Sequence, residues 1–369
     1  MKTAQSSRVR RLPSLDIVRG AVMVLMAVDH VRVYAGVPAG GPDPAVFFTR
    51  WITHFCAPVF VFLAGTAAYL YGQKIQPRAA LAKFLAIRGL WLVLLELTVL
   101  RFAWTFNFDY ANFTFAGVIW VIGWSMVVLA GLVFLPTPSV GAIGVIVIVS
   151  HNAFAPVLSK STVLYGGWML PVAGFNLVVL YTLIPWFAVM AAGYAFGAIV
   201  QKRRIVIAIG VAAIVSFLVL RATGVYGDPR PWQSGALQFL NTAKYPASLL
   251  FLLMTLGPMF VVLPFLEHAR GRVARWLEVF GRVPFFYYVL HIPLIHVVAV
   301  LISLVRTPEH TGWLFANHPM LPPDVPPGYR WSLALLYAVT ALVVIGLYFP
   351  CRWYARVKAE RPRAWMKYV

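Results

Sequence analysis

The segment SLDIVRGAVMVLMAVDHVRVYAG, residues 14–36, decides the fold class, because it is long and apolar yet carries ionisable side chains along one face. Arg19 and His30 are eleven residues apart, which in an α-helix is roughly 16 Å along the axis and nearly a whole number of turns. An ionisable group in a membrane span costs about 3 kcal/mol or more, so it usually faces a bundle interior or a wet cavity. With Asp16 on the same face and Asp29 near its far end, the segment predicts a polar track through a helical membrane protein. An arginine that reaches the headgroups and a histidine at the interface is the alternative interpretation.

Composition extends this prediction to the whole chain. The 369 residues are 61% hydrophobic and 11% charged, with a mean hydropathy of +0.80, which is far more apolar than a water-soluble domain. The apolar runs suit helices that cross roughly 30 Å of hydrocarbon rather than the short alternating strands of a barrel. We therefore predict an all-α polytopic membrane protein with a single domain over residues 1–369 and basic tails at 1–13 and 352–369.

Ten apolar runs are long enough to be predicted as membrane spans. They are 14–36, 50–72, 80–101, 115–135, 139–157, 176–200, 204–223, 246–266, 284–305 and 331–351. Basic residues concentrate in alternate connections, and the positive-inside rule then places both termini in the cytoplasm. The prediction is a multi-pass protein of the inner (plasma) membrane, whose first helix is not cleaved because no small-residue cleavage site follows the basic stretch at 8–11.

The net charge of +20 does not indicate a nucleic-acid partner. The 31 Lys and Arg residues lie mostly in short segments between apolar runs, where anionic lipid headgroups are their natural counter-charge. No basic face of domain size exists outside the spans. The two cysteines, Cys56 and Cys351, are predicted on opposite sides of the bilayer, which excludes a bridge between them. The lipid bilayer is the expected partner, and a homo-oligomer is left open.

Two histidines are candidates for proton transfer at the outer side. His54, in WITHFCAPVFVFLAG at residues 51–65, begins the second span at the depth predicted for His30. Histidines that converge from adjacent helices suit general acid–base catalysis. We therefore predict His30, His54 and Asp29 as catalytic residues. For His54, a purely local hydrogen bond at the start of its helix is the alternative.

A third cluster lies in GRVPFFYYVLHIPLIH, residues 281–296. Tyr287 and Tyr288 come one turn before His291, so one of them can hydrogen-bond it, and His291 near mid-membrane needs a polar partner. His296 lies about 140° away around the helix, and no carboxylate or thiolate is spaced to complete a metal site. We predict Tyr287, Tyr288 and His291 as pocket residues and no metal here; a structural polar contact between helices is the alternative.

Further polar residues are predicted at the two ends of the track. Glu96, in the third span, needs a buried partner, and the second outer connection supplies three polar pocket residues, Asn107, Asp109 and Asn112. At the cytoplasmic rim, basic residues can form a vestibule for a phosphorylated donor or be ordinary positive-inside residues. These are Arg19, Lys74, Arg78, Arg88 and Arg282.

Four stretches of the chain resemble bacterial members of the heparan-α-glucosaminide N-acetyltransferase-like family. They are LDIVRGAVMVLMAVDH at 15–30, FFTRWITHFCAPVFVFLAG at 47–65, IWVIGWSMVVLAGLVFLP at 119–136 and GRVPFFYYVLHIPLIH at 281–296. The resemblance spans nearly the whole chain. An arginine, ten intervening residues and a histidine also resemble a pattern of bacterial cell-surface O-acyltransferases that handles the acyl donor, which maps to Arg19 and His30.

The resemblance implies transfer of an acyl group, usually acetyl, from cytoplasmic acyl-CoA to a glycan or amine acceptor on the far side. Acetyl-CoA or another acyl-CoA is then the expected cosubstrate. The donor-binding residues would be Arg19, Asp16, Arg88 and Arg282.

The sequence departs from the lysosomal relatives at one important position. Those relatives carry an essential histidine in the first outer loop, where this chain has Pro44, and His54 stands where they have an acidic residue. If the enzyme is active, His30 or His54 must take the catalytic role of that histidine. The missing histidine also supports a non-catalytic membrane partner as a third interpretation.

A transporter or proton-coupled permease is the alternative function. Buried Arg19, Glu96 and His291 can form a proton or ion relay as readily as an active site. An internal repeat with matching broken helices, which is frequent in transporters, is not evident in the sequence.

Overall fold

The computed structural model describes residues 12–368, so most of the predicted tail at 1–13 lies outside the described residues. The α-helices of this part are α1 (Pro13–Tyr34), α2 (Pro44–Trp51), α3 (Cys56–Gly72), α4 (Arg78–Leu95), α5 (Arg101–Thr105), α6 (Val118–Leu132), α7 (Thr137–Ser150), α8 (Ala155–Leu158), α9 (Leu183–Phe196), α10 (Arg203–Thr223), α11 (Ala236–Leu240), α12 (Leu249–Val262), α13 (Arg272–Arg282), α14 (Pro284–Arg306) and α15 (Leu333–Glu360). The 3₁₀ helices are Ile52–Phe55, Leu263–His268, Pro308–Phe315 and Ala364–Lys367, and the π-helical turns are Glu96–Leu100 and Thr162–Gly166.

Five helical stretches within residues 12–368 are long and apolar enough to cross a membrane. They are Pro44–Gly72, Arg203–Thr223, Leu249–His268, Pro284–Arg306 and Leu333–Glu360. Helices α6, α7 and α9 are apolar but have only 14 or 15 residues, about 22 Å of helix, which is shorter than the hydrocarbon core. Helices α1 and α4 have 22 and 18 residues but carry charged side chains. The helical membrane class is confirmed; the count of ten spans is not confirmed, and the side of each terminus stays a prediction.

The all-α description holds for the bundle but not for a small sheet beside it. Strands β1 (Thr114–Ala116), β2 (Trp168–Val172) and β3 (Phe175–Val179) form a sheet in the order β1-β3-β2, with β1 parallel and β2 antiparallel to β3. The segment predicted as a span at 176–200 therefore starts as a strand, and its helix begins only at Leu183. A short apolar run does not distinguish a buried strand from a buried helix.

Helix α1 is central, since it packs against α3, α13, α14 and α15. Its closest neighbour is α13: a Cβ on Gly20 would lie 1.9 Å from the carbonyl oxygen of Leu277, and a Cβ on Gly281 would lie 1.8 Å from that of Asp16. Glycines permit this backbone-to-backbone approach, as small residues do in membrane bundles generally. The contact brings the parts of α1 and α13 that carry Arg19 and Arg282 side by side.

Two helical segments extend beyond the predicted boundaries. The segment 272–282, predicted as part of a cytoplasmic connection, is helix α13. Helix α15 continues past 351 to Glu360, so the predicted tail at 352–369 begins as helix. Both cysteines are buried and free, and their positions on opposite sides of the bilayer stay a prediction.

Candidate functional site

A pair of histidines from α1 and α14 forms the centre of the site. Nδ1 of His30 lies 2.6 Å from Nε2 of His291, and the two ring planes are nearly parallel, at 22°, with centroids 4.8 Å apart. On its other side, His291 makes a 2.6 Å hydrogen bond through Nδ1 to the carbonyl oxygen of Tyr288. Trp104 packs edge-on against His30 at 4.7 Å between centroids. The structure therefore provides the polar partner that His291 needs at its depth, and this partner is His30.

An ion-pair network with excess positive charge adjoins His30. The two carboxylate oxygens of Asp29 accept from Arg32 Nε at 3.0 Å and from Arg50 Nη1 at 2.9 Å. Arg50 also donates to the Thr53 hydroxyl at 3.0 Å. Both oxygens of Asp29 are thus held by arginines, so its observed contacts position charge rather than expose a base.

Lys244 adds a third cation to this network, a position that no sequence motif indicated. It is 5% exposed, and its ammonium lies 5.3 Å from the centroid of the Tyr245 ring. No carboxylate among residues 12–368 lies within salt-bridge distance of it. Lys244 interacts electrostatically with Asp29, His30 and His54, so a buried cation faces the predicted catalytic residues.

His54 lies near this network but does not pair with His30. It is in the 3₁₀ turn Ile52–Phe55, where its ring packs edge-on against Phe251 at 5.4 Å between centroids. Its Nδ1 is buried and has no hydrogen-bond partner within the described part of the chain. The link between the two histidines runs through their sequence neighbours, since Asp29 binds Arg50 and Arg50 binds Thr53.

A cavity of about 420 Å³ opens between α1, α3, α4, α6 and α14. Its wall contains four basic side chains, Arg19, Arg88, Arg282 and Lys358, and no Asp or Glu among the described residues that line it. Most of the remaining wall is apolar, from residues such as Phe60, Leu63 and Met126. The cavity also reaches Tyr288, whose ring centroid is 6.3 Å from that of His30. The cavity wall therefore includes basic side chains and Tyr288, a neighbour of the histidine pair, while His30 and His291 are not among its lining residues.

Three of the five predicted rim residues line this cavity, and two do not. Arg19 pairs with Asp16 at 3.1 Å, and Arg282 pairs with Glu278 one turn earlier on α13; donor binding by these residues stays a prediction. Arg78 instead donates to the carbonyl oxygen of Phe134 at 2.9 Å. Lys74 is likewise absent from the lining. Lys358 was missed because it was predicted to lie in a tail, whereas α15 continues far enough to bring it to the cavity.

Glu96 has a structural partner rather than a cation. Its Oε2 accepts from the backbone N–H groups of Ile119 at 2.8 Å and Trp120 at 3.1 Å. These donors are in the first turn of α6, where helix N–H groups lack intrahelical partners and favour a negative charge. The fully buried Glu96 therefore caps α6 from the neighbouring π-helical turn.

The polar residues of the second outer connection bind to each other and to a later loop. Asn107 donates to the carbonyl oxygen of Phe315 at 2.8 Å, and Asp109 accepts from Asn112 at 2.8 Å and from Asn317 at 3.1 Å. The hydrogen bond from Asn317 holds the pKa of Asp109 below its ordinary value of 3.8. These contacts fasten the 106–113 loop to the 306–330 loop, and a role in binding an acceptor stays a prediction.

The predicted pocket residue Tyr287 packs against the histidine pair, whereas His296 does not. Tyr287 stacks on His291 at 5.3 Å between centroids, and its hydroxyl is buried without a partner among the described residues. His296 is a full turn beyond and stacks on Phe106 at 4.0 Å. Within residues 12–368, no three side chains of the kinds that ligate metals come together.

Comparison with known proteins identifies the family. The family model of the heparan-alpha-glucosaminide N-acetyltransferase catalytic domain matches residues 11–229, which include α1 and the Asp29–Arg50 network. A search of curated proteins gives no match. The matched region is more than half of the chain, and with five membrane-length apolar helices it agrees with the resemblance seen in the sequence. The chain therefore belongs to the heparan-α-glucosaminide N-acetyltransferase family and is a membrane protein of the acetyltransferase type.

Proposed function

We propose that this protein transfers an acetyl or other acyl group from cytoplasmic acyl-CoA to a glycan or amine acceptor at the outer face of the membrane. The main support is the cavity, because its wall contains four basic side chains and it reaches Tyr288 beside the histidine pair. The family is named for an enzyme whose name states transfer of an acetyl group to a glucosaminide nitrogen. The reaction class follows from that name, and the direction of transfer follows from the predicted orientation.

The donor side of the proposal is argued from charge and length. Arginine guanidinium groups bind phosphates through charge-assisted hydrogen bonds, and Arg19, Arg88 and Arg282 contribute three of them to one cavity. The cavity volume of about 420 Å³ is in the range of small-molecule sites. An extended pantetheine arm is comparable to the roughly 16 Å between Arg19 and His30 along α1. Phosphates at the basic wall would thus bring the thioester towards His30.

His30 is the proposed general base. It accepts the proton of the acceptor hydroxyl or amine while the acceptor oxygen or nitrogen bonds to the thioester carbonyl carbon. The carbon–sulfur bond then breaks, and the departing thiolate takes the proton from His30 to give free CoA. Lys244 is the proposed electrostatic stabiliser of the oxyanion that forms on the carbonyl, because it is a buried cation facing both His30 and His54.

The acceptor is proposed to approach from the side of the outer loops. The 106–113 loop follows α5, and α5 carries Trp104, which contacts His30. Asn107, Asp109 and Asn112 are the proposed acceptor-side residues of that loop. His54, whose buried Nδ1 lacks a partner among the described residues, is proposed to assist at the same level.

Purified full-length protein incubated with labelled acetyl-CoA and candidate amino sugars tests this function. The intact protein should transfer the label, and His30→Ala should lose about 10²–10⁴-fold in kcat, the usual contribution of a general base. His310→Ala is the matched control, since the His310 side chain pairs with Glu309 at 3.6 Å in a predicted outer loop and is not one of the proposed site residues. Full turnover by a folded His30→Ala protein would contradict the proposal.

A second variant tests the cavity separately from the histidines. Ala64→Phe adds a bulky ring to the cavity wall and should weaken acetyl-CoA binding without touching His30. Ala208→Phe, at an exposed position of α10, is the control for the same change in size. Uptake of substrate into proteoliposomes with no dependence on CoA would instead favour the transporter alternative.

A further inference from the structure

The hydrogen-bond chain at His291 determines which nitrogen of each histidine carries the proton. The carbonyl oxygen of Tyr288 can only accept, so Nδ1 of His291, 2.6 Å away, must be the donor. A neutral imidazole has a single N–H, which leaves Nε2 of His291 as an acceptor. Its partner at 2.6 Å is Nδ1 of His30, and that nitrogen must therefore donate.

The basic lone pair of His30 is therefore on Nε2. This nitrogen makes no hydrogen bond with another residue in the 12–368 range, and the His30 side chain is partly exposed, whereas His291 is fully buried. His291 is held rigidly, because its two nitrogens bind His30 and the Tyr288 carbonyl oxygen and its ring packs on that of Tyr287 at 5.3 Å between centroids. Trp104 also restrains His30, since the two rings pack at 68° with centroids 4.7 Å apart. A fixed ring with one accessible basic nitrogen is the arrangement a general base requires.

We propose that His291 is a positioning residue that holds His30 in its Nδ1–H tautomer and so leaves Nε2 to accept the proton of the acceptor. This inference rests on the proposed function for its catalytic use. In a hydrolytic triad, a carboxylate fixes the tautomer and orientation of the catalytic histidine. Here His291, itself held by the Tyr288 carbonyl oxygen, would fix the tautomer and orientation of His30.

The protons balance over one turnover. His30 begins neutral with its proton on Nδ1, and Nε2 gains a second proton from the acceptor. The bond from Nδ1–H to His291 is then charge-assisted and stronger. The proton on Nε2 leaves with the thiolate sulfur when the carbon–sulfur bond breaks, and His30 returns to the neutral Nδ1–H form while His291 keeps its own proton throughout.

The first experiment measures the tautomer directly. Full-length protein labelled with ¹⁵N-histidine, reconstituted in nanodiscs, is compared by NMR with His30→Gln and His291→Gln to assign the signals of the pair among the eight histidines. His30 should be in the Nδ1–H form, and in His291→Leu it should change to the Nε2–H form. The Nε2–H form of His30 in the unmodified protein would overturn the proposal, whatever the activity.

The second experiment measures the catalytic consequence. His291→Leu should lower kcat roughly 10–100-fold, as loss of an outer partner does for metal-bound histidines, with little change in the KM for acetyl-CoA. His291→Gln offers an amide oxygen to the Nδ1–H of His30 and should recover part of the rate. A folded His291→Leu protein with unchanged kcat would overturn the positioning role. If NMR shows His30 in the Nδ1–H form but His30→Ala is fully active, the hydrogen-bond chain is correct. Its catalytic use and the proposed function are then both wrong.

Discussion

At the scale of single residues, Asp29 illustrates how burial changes the meaning of a charged side chain. Its position next to His30 in the sequence predicts a catalytic carboxylate, but both of its oxygens bind arginines. With Lys244 nearby, one carboxylate balances three cations that are each at most 8% exposed. A buried ion pair contributes little beyond its desolvation cost, whereas removal of one partner leaves an uncompensated charge.

Asp29→Asn should therefore destabilise the protein strongly. We expect a loss of about 3–5 kcal/mol, the cost of breaking a buried pair from one side. Thermal unfolding in detergent, monitored by tryptophan fluorescence, measures the change. The double variant Asp29→Asn with Arg50→Gln removes one of the stranded cations and should recover part of the stability.

Stability and turnover of the Asp29→Asn protein together distinguish a structural role of Asp29 from a catalytic one. A catalytic carboxylate would give an Asp29→Asn protein with normal stability and abolished turnover. That result would contradict the structural interpretation of Asp29. Ser303→Ala, a change to a buried polar residue whose hydrogen bonds are confined to the end of α14 and the following loop, is a suitable reference for the size of an ordinary loss.

At the scale of elements, the 3₁₀ helix Pro308–Phe315 and the residues after it pack against the end of the site that contains Tyr34. His318 is fully buried there, with its ring 4.5 Å from that of Trp313 and 5.3 Å from that of Tyr34. Tyr34 in turn donates to the carbonyl oxygen of Trp104 at 2.6 Å, and Trp104 contacts His30. This loop therefore influences the packing around the histidine pair.

The stability of this loop should depend on pH. Burial lowers the pKa of His318 from 6.5 to about 4, so between these values the unfolded loop binds a proton that the folded loop excludes. The contribution of His318 is then fully present above pH 6.5 and decreases as the pH falls towards 4, by about 2 kcal/mol at pH 5. Hydrogen exchange of residues 308–318 at pH 7.5 and pH 5, corrected for intrinsic rates, measures this loss.

A variant without the titratable ring provides the comparison. His318→Gln should show nearly the same protection at both pH values, whereas His310→Gln, which changes a more exposed histidine of the same loop, should behave like the unmodified protein. Equal pH dependence in the His318→Gln protein would refute the assignment of the effect to His318.

The elements also show what sequence reasoning reaches and where it stops. Periodicity and length predicted α10, α14 and the start of α15, because long apolar runs have few alternative structures in lipid. The same criteria did not find β3, since a mostly apolar segment of five residues does not reveal whether it pairs with another strand. Local motifs identified His30 and His291 separately, but their 2.6 Å contact joins residues 261 positions apart and depends on how α1 packs against α14.

At the scale of the whole molecule, the proposed function depends on the direction in which the acyl group crosses the membrane. The basic wall of the cavity and the histidine pair lie at different depths along α1, and the positive-inside pattern places the basic wall nearer the cytoplasm. Arg19, Arg88 and Arg282 were predicted at that rim from charge alone, and the structure brings all three to one cavity. Lys358 joins them because α15 extends beyond its predicted end.

Sealed membrane vesicles of known orientation test this direction. Labelled acetyl-CoA does not cross a bilayer, so it should be consumed only when it is added to the cytoplasmic side, which is outside in inverted vesicles, while the acceptor is enclosed within. Right-side-out vesicles with external acetyl-CoA should give label transfer at background level until a detergent opens them. Lys358→Ala removes a basic side chain from the cavity wall and should raise the KM for acetyl-CoA. Arg356→Ala is its control, because Arg356 is exposed on α15 and does not line the cavity. Equal transfer from external acetyl-CoA in both vesicle orientations, with the seal verified, would contradict a donor site that opens to the cytoplasm.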